Sequence, residues 1–210
     1  MFRSGSILKT SLDDEGRLMD QIRNVESKGA AGSTIFVDRF YPVPFARMSL
    51  HVSAKASLSI ENAGGSSDFS EALSIDLMAA RFGASKFALE MEVEYWISYK
   101  KCDFVTVIHN QNFGVSVTRA MGYPKATNFT EGHATKLLNS KINGLLAARE
   151  VVGEKHHFTK CILHVWCQTN EIASLICKAH QVMVLADSVI SQVIVLVTVC
   201  IEKYIYTNTL

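Results

Sequence analysis

Two carboxylates and two small hydroxyl residues carry the chemistry that this sequence suggests. Asp103 stands near the start of an apolar run, Lys101 to His109. After a turn, a second run, Phe113 to Arg119, carries Ser116 and Thr118 among valines. Glu71 lies upstream, at the start of a predicted helix. Carboxylates brought to one place can hold a hard dication such as Mg²⁺, which takes oxygen ligands at about 2.0–2.1 Å. A dication so held can activate water or polarise a phosphoryl group. The charge distribution fits that chemistry. Residues 61–99 hold seven acids against two bases, and residues 100–160 hold nine Lys and Arg against four acids. Lys101, Arg119, Lys125, Lys136 and Lys141 are the candidates for a phosphate-facing surface next to an acidic one.

Each residue alone also has a plainer reading. Asp103 after two lysines suits a solvated strand end, and Glu71 in a first helical turn is favoured by the helix dipole. Ser116 and Thr118 between valines can simply fill a strand. Glu90, Glu92 and Glu94 alternate with apolar residues and read as the wet face of a strand. His156-His157 has no acid or Cys at ligand spacing. The five cysteines form no CxxC pair, and four of them lie in apolar segments, where burial raises the thiol pKa. No phosphate-binding glycine loop, nucleophile elbow or HExxH motif occurs.

These residues need a framework. The chain has 210 residues, 48% of them hydrophobic, and a formal net charge of +1, which suits one ordinary globular core. Residues 1–34, rich in charge, Gly and Ser, read as a mobile leader. Residues 35–67 read as an extended or edge-strand segment followed by a linker; Leu50 to Ile60 alternates like a strand, and Gly64-Gly-Ser-Ser67 separates it from the rest. Residues 68–201 form the core. Its expected elements are a helix from Asp68 to about Arg81, a strand from Phe87 to Ser98, and a hairpin of Asp103–His109 and Val115–Met121 turning at 110–114. A helix from Thr130 to Ala148, a strand Lys160–Cys167, a helix Asn170–Val182 and a strand Val189–Cys200 follow. Residues 202–210 lose all pattern and read as an unstructured tail. The longest apolar run, Val193 to Ile201, is too short for a membrane span. With an odd cysteine count and no signal-peptide pattern, the expectation is an intracellular protein, nuclear or cytoplasmic.

The order helix, three strands, helix, strand over residues 68–168 resembles the core of the PD-(D/E)XK nuclease superfamily, the restriction endonuclease-like fold. The resemblance implies an α/β fold with a mixed central sheet flanked by helices, an αβββαβ core here extended by one helix and one strand. It implies Glu71 as the helix acid and Asp103 as the hairpin acid, both metal ligands. Ser116 then stands where that family carries an acid and Thr118 where it carries a lysine, with Arg119 turned to the opposite face.

Ser116 is a poor ligand for a hard dication, and Thr118 cannot carry positive charge. The sequence therefore reads as a catalytically degenerate nuclease-like domain binding nucleic acid or a protein partner, with Mg²⁺ bound weakly or not at all. One alternative is an active Mg²⁺-dependent nuclease in which the acid and lysine have moved, to Glu90, Glu92 or Glu94 and to Lys136 or Lys141. Another is an unrelated α/β protein-interaction module.

Overall fold

The computed structural model describes residues 6–23, 34–59 and 67–209. Its centre is one seven-stranded mixed sheet. In chain order the strands are β1 (Ile7–Lys9), β2 (Ile35–Tyr41), β3 (Ser85–Leu89), β4 (Phe104–Ile108), β5 (Gln111–Ala120), β6 (Lys160–Cys167) and β7 (Val193–Val199). Across the sheet they run β1-β2-β7-β6-β5-β4-β3. The inner strands β2, β7, β6 and β5 are mutually parallel, and antiparallel β1 on one side and β4 and β3 on the other complete the sheet. Six α-helices flank it: α1 (Leu12–Arg23), α2 (Val52–Ser59), α3 (Asp68–Phe82), α4 (Glu131–Val151), α5 (Asn170–Ala186) and α6 (Tyr204–Thr207). The fold is α/β, as the element order predicted.

Both sheet faces are buried, which is why β6 and β7 read as continuous apolar runs without alternation. On one face Phe113, Val115, Val117, Ile162, Trp166 and Leu196 pack with α1, α2, α3 and α6. On the other, Ala120, Leu163, Val165, Val195 and Val197 pack with α4 and α5.

Buried polar groups tie elements of the core together. His164 is held between the Ser74 hydroxyl (2.8 Å) and the Thr198 hydroxyl (2.9 Å), and burial pushes its pKa down to about 3, so the ring is neutral. The Trp166 indole N–H donates to Ser70 O at 3.0 Å. The Arg81 guanidinium of α3 reaches the Asp38 carboxylate of β2 and the Glu15 carboxylate of α1.

Several expectations are corrected. Part of the leader is structured: Leu18 and Ile22 of α1 are buried, and β1 pairs with β2. Residues 24–33 lie outside the described residues. β2 is an inner strand of the main sheet, lying between β1 and β7. Within the alternating segment 50–60, Val52–Ser59 folds as helix α2, because its residues are mostly Ala, Ser, Lys and Leu, which a helix accepts, and Ala54 packs closely onto the core. Asp76 accepts the His51 N–H at 2.8 Å near its start. Most of the expected linker, Gly64 to Ser66, lies outside the described residues.

The expected strand 87–98 stops at Leu89. There the Glu92 carboxylate folds back onto the Leu89 N–H at 2.8 Å, making a 3-10 turn of Glu90–Glu92. The hairpin turns at His109-Asn110, both at positive φ (46° and 61°), as a two-residue primed turn requires. Gly114 belongs to β5 instead, because the Phe158 ring occupies the space its Cβ would need. Finally, the tail forms α6, with Tyr204, Ile205 and Tyr206 buried; the Tyr206 hydroxyl donates to Cys200 O at 2.8 Å.

Candidate functional site

The site lies where the sheet opens. β4 pairs with β5 only as far as Phe104 opposite Val115, although β5 continues to Ala120. At the opening Asp103 takes over from the ladder. Its N–H donates to Val115 O at 2.9 Å, and its Oδ2 accepts the Val117 N–H at 2.7 Å. The carboxylate is thereby fixed by backbone on the edge of β5 that β4 no longer covers.

Register supplies the neighbours. Phe104 pairs with Leu89 on one side and Val115 on the other, and Glu90, Asp103 and Ser116 are the residues next to that last paired row in the three segments. Burial pushes the Asp103 carboxyl up. Lys141 on α4, the Val117 N–H and a hydrogen bond from Ser116 pull it back down, and the charge of Glu90 pushes it up again.

Glu71 stands on α3, in the layer across the sheet from α4, where the Ser67 hydroxyl donates to its carboxylate. Burial first, and the charge of Asp103 second, push the Glu71 carboxyl up to about 7; Glu90 adds to the same push. Glu71 and Asp103 thus each feel the charge of Glu90, and Asp103 also feels Lys141 from the α4 layer.

Not every candidate joins them. Ser116 and Thr118 are buried on the α4 side of β5, and Ser116 alone touches Asp103. Glu92 is committed to Leu89, and exposed Glu94 lies 4.0 Å from Lys155. Of the five candidate cations, Lys141 is half-buried beside Asp103, while Lys101, Lys125 and Lys136 are exposed. Arg119 faces the other way, its guanidinium donating to Tyr206 O at 3.2 Å on the α3 and α6 side. The five therefore do not line one side of the domain, because successive residues of β5 point to opposite faces.

Two features escaped the sequence reading. The special place of Glu90 depends on register, which could be read from the row Leu89–Phe104–Val115 only once those strands were paired. The Tyr95 hydroxyl accepts the Cys102 N–H at 3.0 Å, closing a loop just before Asp103. No local pattern marks that bond. Burial pushes the Cys102 thiol up to about 12, which removes it as a nucleophile.

Among the described residues no three His, Cys, Asp or Glu side chains converge into a protein-only metal cage. Mg²⁺ does not require one. It commonly keeps several waters and is held by one or two carboxylates together with substrate phosphate. Asp103 with Glu71 or Glu90 fits that demand: hard oxygen donors, half-buried, whose mutual repulsion a cation would relieve.

No family model matches the chain, and no solved structure does. Among curated proteins, the chain is 34% identical over 154 residues to the AAC-rich mRNA clone AAC4 protein of Dictyostelium discoideum. That similarity covers 70% of this chain and 22% of the relative, whose name states no activity. No helix among the described residues is long and apolar enough to cross a membrane.

Proposed function

We propose that this domain is a Mg²⁺-dependent phosphodiesterase acting on nucleic acid, in the manner of the PD-(D/E)XK nucleases, with its second acid and its lysine relocated. The observation that carries this reading is that Glu71 and Asp103 each feel the charge of Glu90, with Lys141 acting on Asp103. In place of an acid at Ser116, Glu90 flanks Asp103 from the other side. In place of a lysine at Thr118, Lys141 comes from α4, the helix packed over the sheet face to which Thr118 points.

Asp103 and Glu71 would hold the cation, with Glu90 as the third carboxylate in reach. A bound Mg²⁺ supplies a polarised phosphoryl oxygen and an activated water. Lys141 places positive charge beside the group, where it can orient water and balance charge developing on phosphate. The Val117 N–H holds Asp103 in position whether or not a cation is bound. A cation held at Glu71 would require this raised carboxyl in its ionised form, so affinity for the metal would increase with pH.

The test is cleavage of single- and double-stranded DNA and RNA with Mg²⁺ or Mn²⁺. Asp103→Asn is expected to lower the rate by about two to three orders of magnitude, in the range of a lost charge-stabilising group. The same substitution should abolish metal-induced thermal stabilisation. Lys141→Ala should lower kcat with little change in that stabilisation. If neither Mg²⁺ nor Mn²⁺ raises the melting temperature and no substrate is cut, this reading fails. Salt-dependent nucleic-acid binding without cleavage would instead support the degenerate, binding-only domain, which the uncharged Ser116 and Thr118 favour.

A further inference from the structure

A six-residue loop projects beside the candidate site and is pinned at both ends. At its base Tyr95 is half-buried against the α4 layer, its hydroxyl accepting the Cys102 N–H at 3.0 Å. Trp96 N–H donates to Val151 O at 2.8 Å, and Gly153 N–H donates to Glu94 O at 2.8 Å, fastening the same neck to the end of α4. Between these ties all six residues, Trp96 to Lys101, are exposed, with Trp96 70% and Tyr99 65% accessible. Large aromatics so displayed on a fastened loop are held outward by its geometry.

Their direction is informative. The loop runs antiparallel to α4, from Val151 beside Trp96 to Gly144, where the stem of Lys100 lies 3.8 Å from the position a Cβ would take. Lys141 is one turn further on, and Lys101 leads directly into Cys102 and Asp103. From Val151 to Lys141 is ten residues of helix, about 15 Å at 1.5 Å per residue, a span of two or three nucleotides. Two aromatic side chains, Trp96 and Tyr99, are therefore followed by the ammonium groups of Lys100 and Lys101 along a segment that leads to Asp103. A single strand has unstacked bases for the aromatics and phosphates for the lysines. A duplex keeps its base faces inside and offers Trp96 and Tyr99 nothing to stack on.

We propose that the Trp96–Lys101 loop is a stacking platform for single-stranded nucleic acid, through which a strand reaches Asp103. The inference deepens the phosphodiesterase reading and rests on it for what happens at the end of that segment.

The chain provides its own reporter. Of its two tryptophans, Trp166 is fully buried and Trp96 is the exposed one. The full chain carrying Asp103→Asn, without divalent metal, is titrated at low salt with a short oligothymidylate and with a duplex of equal length. The expected result is saturable quenching of the Trp96 emission by the single strand, weakening as salt rises. With the fluorescence anisotropy of an end-labelled oligothymidylate as the readout, because two of the variants lack the Trp96 reporter, Trp96→Ala and Tyr99→Ala should each lower affinity by about 5- to 100-fold, the range of one lost base–aromatic stack, while Trp96→Phe keeps most of it. Unchanged affinity in both alanine variants, or a duplex bound as tightly as the single strand, overturns the proposal. Because cleavage is disabled here, failure of this test and failure of the phosphodiesterase reading are separate results.

Discussion

Glu71 sits in an environment that suits its carboxyl better protonated than ionised, and this has a cost whose sign can be worked out. In the unfolded chain it titrates near 4.5, and in the fold at about 7. Below 4.5 both states hold the proton and Glu71 contributes no pH dependence. As pH rises toward 7 the unfolded chain loses its proton first, so folding stability falls; above 7 the full penalty is present. Glu71→Gln is therefore expected to stabilise the metal-free protein at pH 8, by on the order of 1–3 kcal/mol, and to change little at pH 4. Urea denaturation at the two pH values measures both quantities. Equal effects at pH 4 and pH 8 would remove the electrostatic explanation. The same variant should flatten the rise of metal affinity between about pH 6 and 8, since that rise reflects proton release from this group.

At the scale of elements, packing between strand and loop fixes how precisely the site is built. Gly114 of β5 lies against the Phe158 ring, whose nearest atom would be 2.3 Å from an added Cβ. Gly114→Ala should destabilise the fold by about 1–3 kcal/mol, as overpacking of a well-filled core does, with the loss read as a lower denaturation midpoint. Phe158→Leu in the same chain should recover part of it. The strands here were legible because their patterns are unambiguous: β5, β6 and β7 alternate or run apolar, and Thr130 and Thr169 cap α4 and α5. Glu90 was legible as an acid in the right region but not as the neighbour of Asp103, because the 3-10 turn at Glu90–Glu92 depends on a side chain folding back onto Leu89. Segment 50–60 misled for a related reason. Its period of two was carried by small residues, which a helix tolerates when a neighbour such as α3 is close enough to pack on Ala54.

For the whole molecule, the decisive tie is the buried pair of Arg81 and Asp38. Arg81 is 4% exposed and Asp38 fully buried, and together with Glu15 they join α3, β2 and α1. Removing one partner leaves the other charge buried alone, so Asp38→Ala should cost about 3–5 kcal/mol of global stability. Replacing both with apolar residues of similar volume, Asp38→Leu with Arg81→Met, should cost less than the single change. Chemical denaturation of the single and double variants measures the difference. A double variant less stable than Asp38→Ala would show the ion pair to be a net source of stability. The sequence set residues 1–34 apart from the core as a leader rich in charge, Gly and Ser, and residues 35–67 as an extended or edge-strand segment. Asp38 and Arg81 are far apart along the chain, and nothing local announces that they meet.

The strand order has a consequence for how the chain is made. β2 enters the sheet against β7, which lies more than 150 residues later in the chain, and β1 attaches only through β2. The first turn of α3 is likewise tied to Asn208, whose side chain accepts the Phe69 N–H at 3.2 Å. At a synthesis rate of about 5–20 residues per second, β2 emerges roughly ten to thirty seconds before its partner exists. During that interval Ile35-Phe-Val37 and Phe40 are an unsatisfied apolar ribbon, and the helix bearing Glu71 lacks its last anchor. Maturation of the site is thus postponed until translation has delivered β7 and α6, and until then the apolar ribbon waits without the strand that covers it.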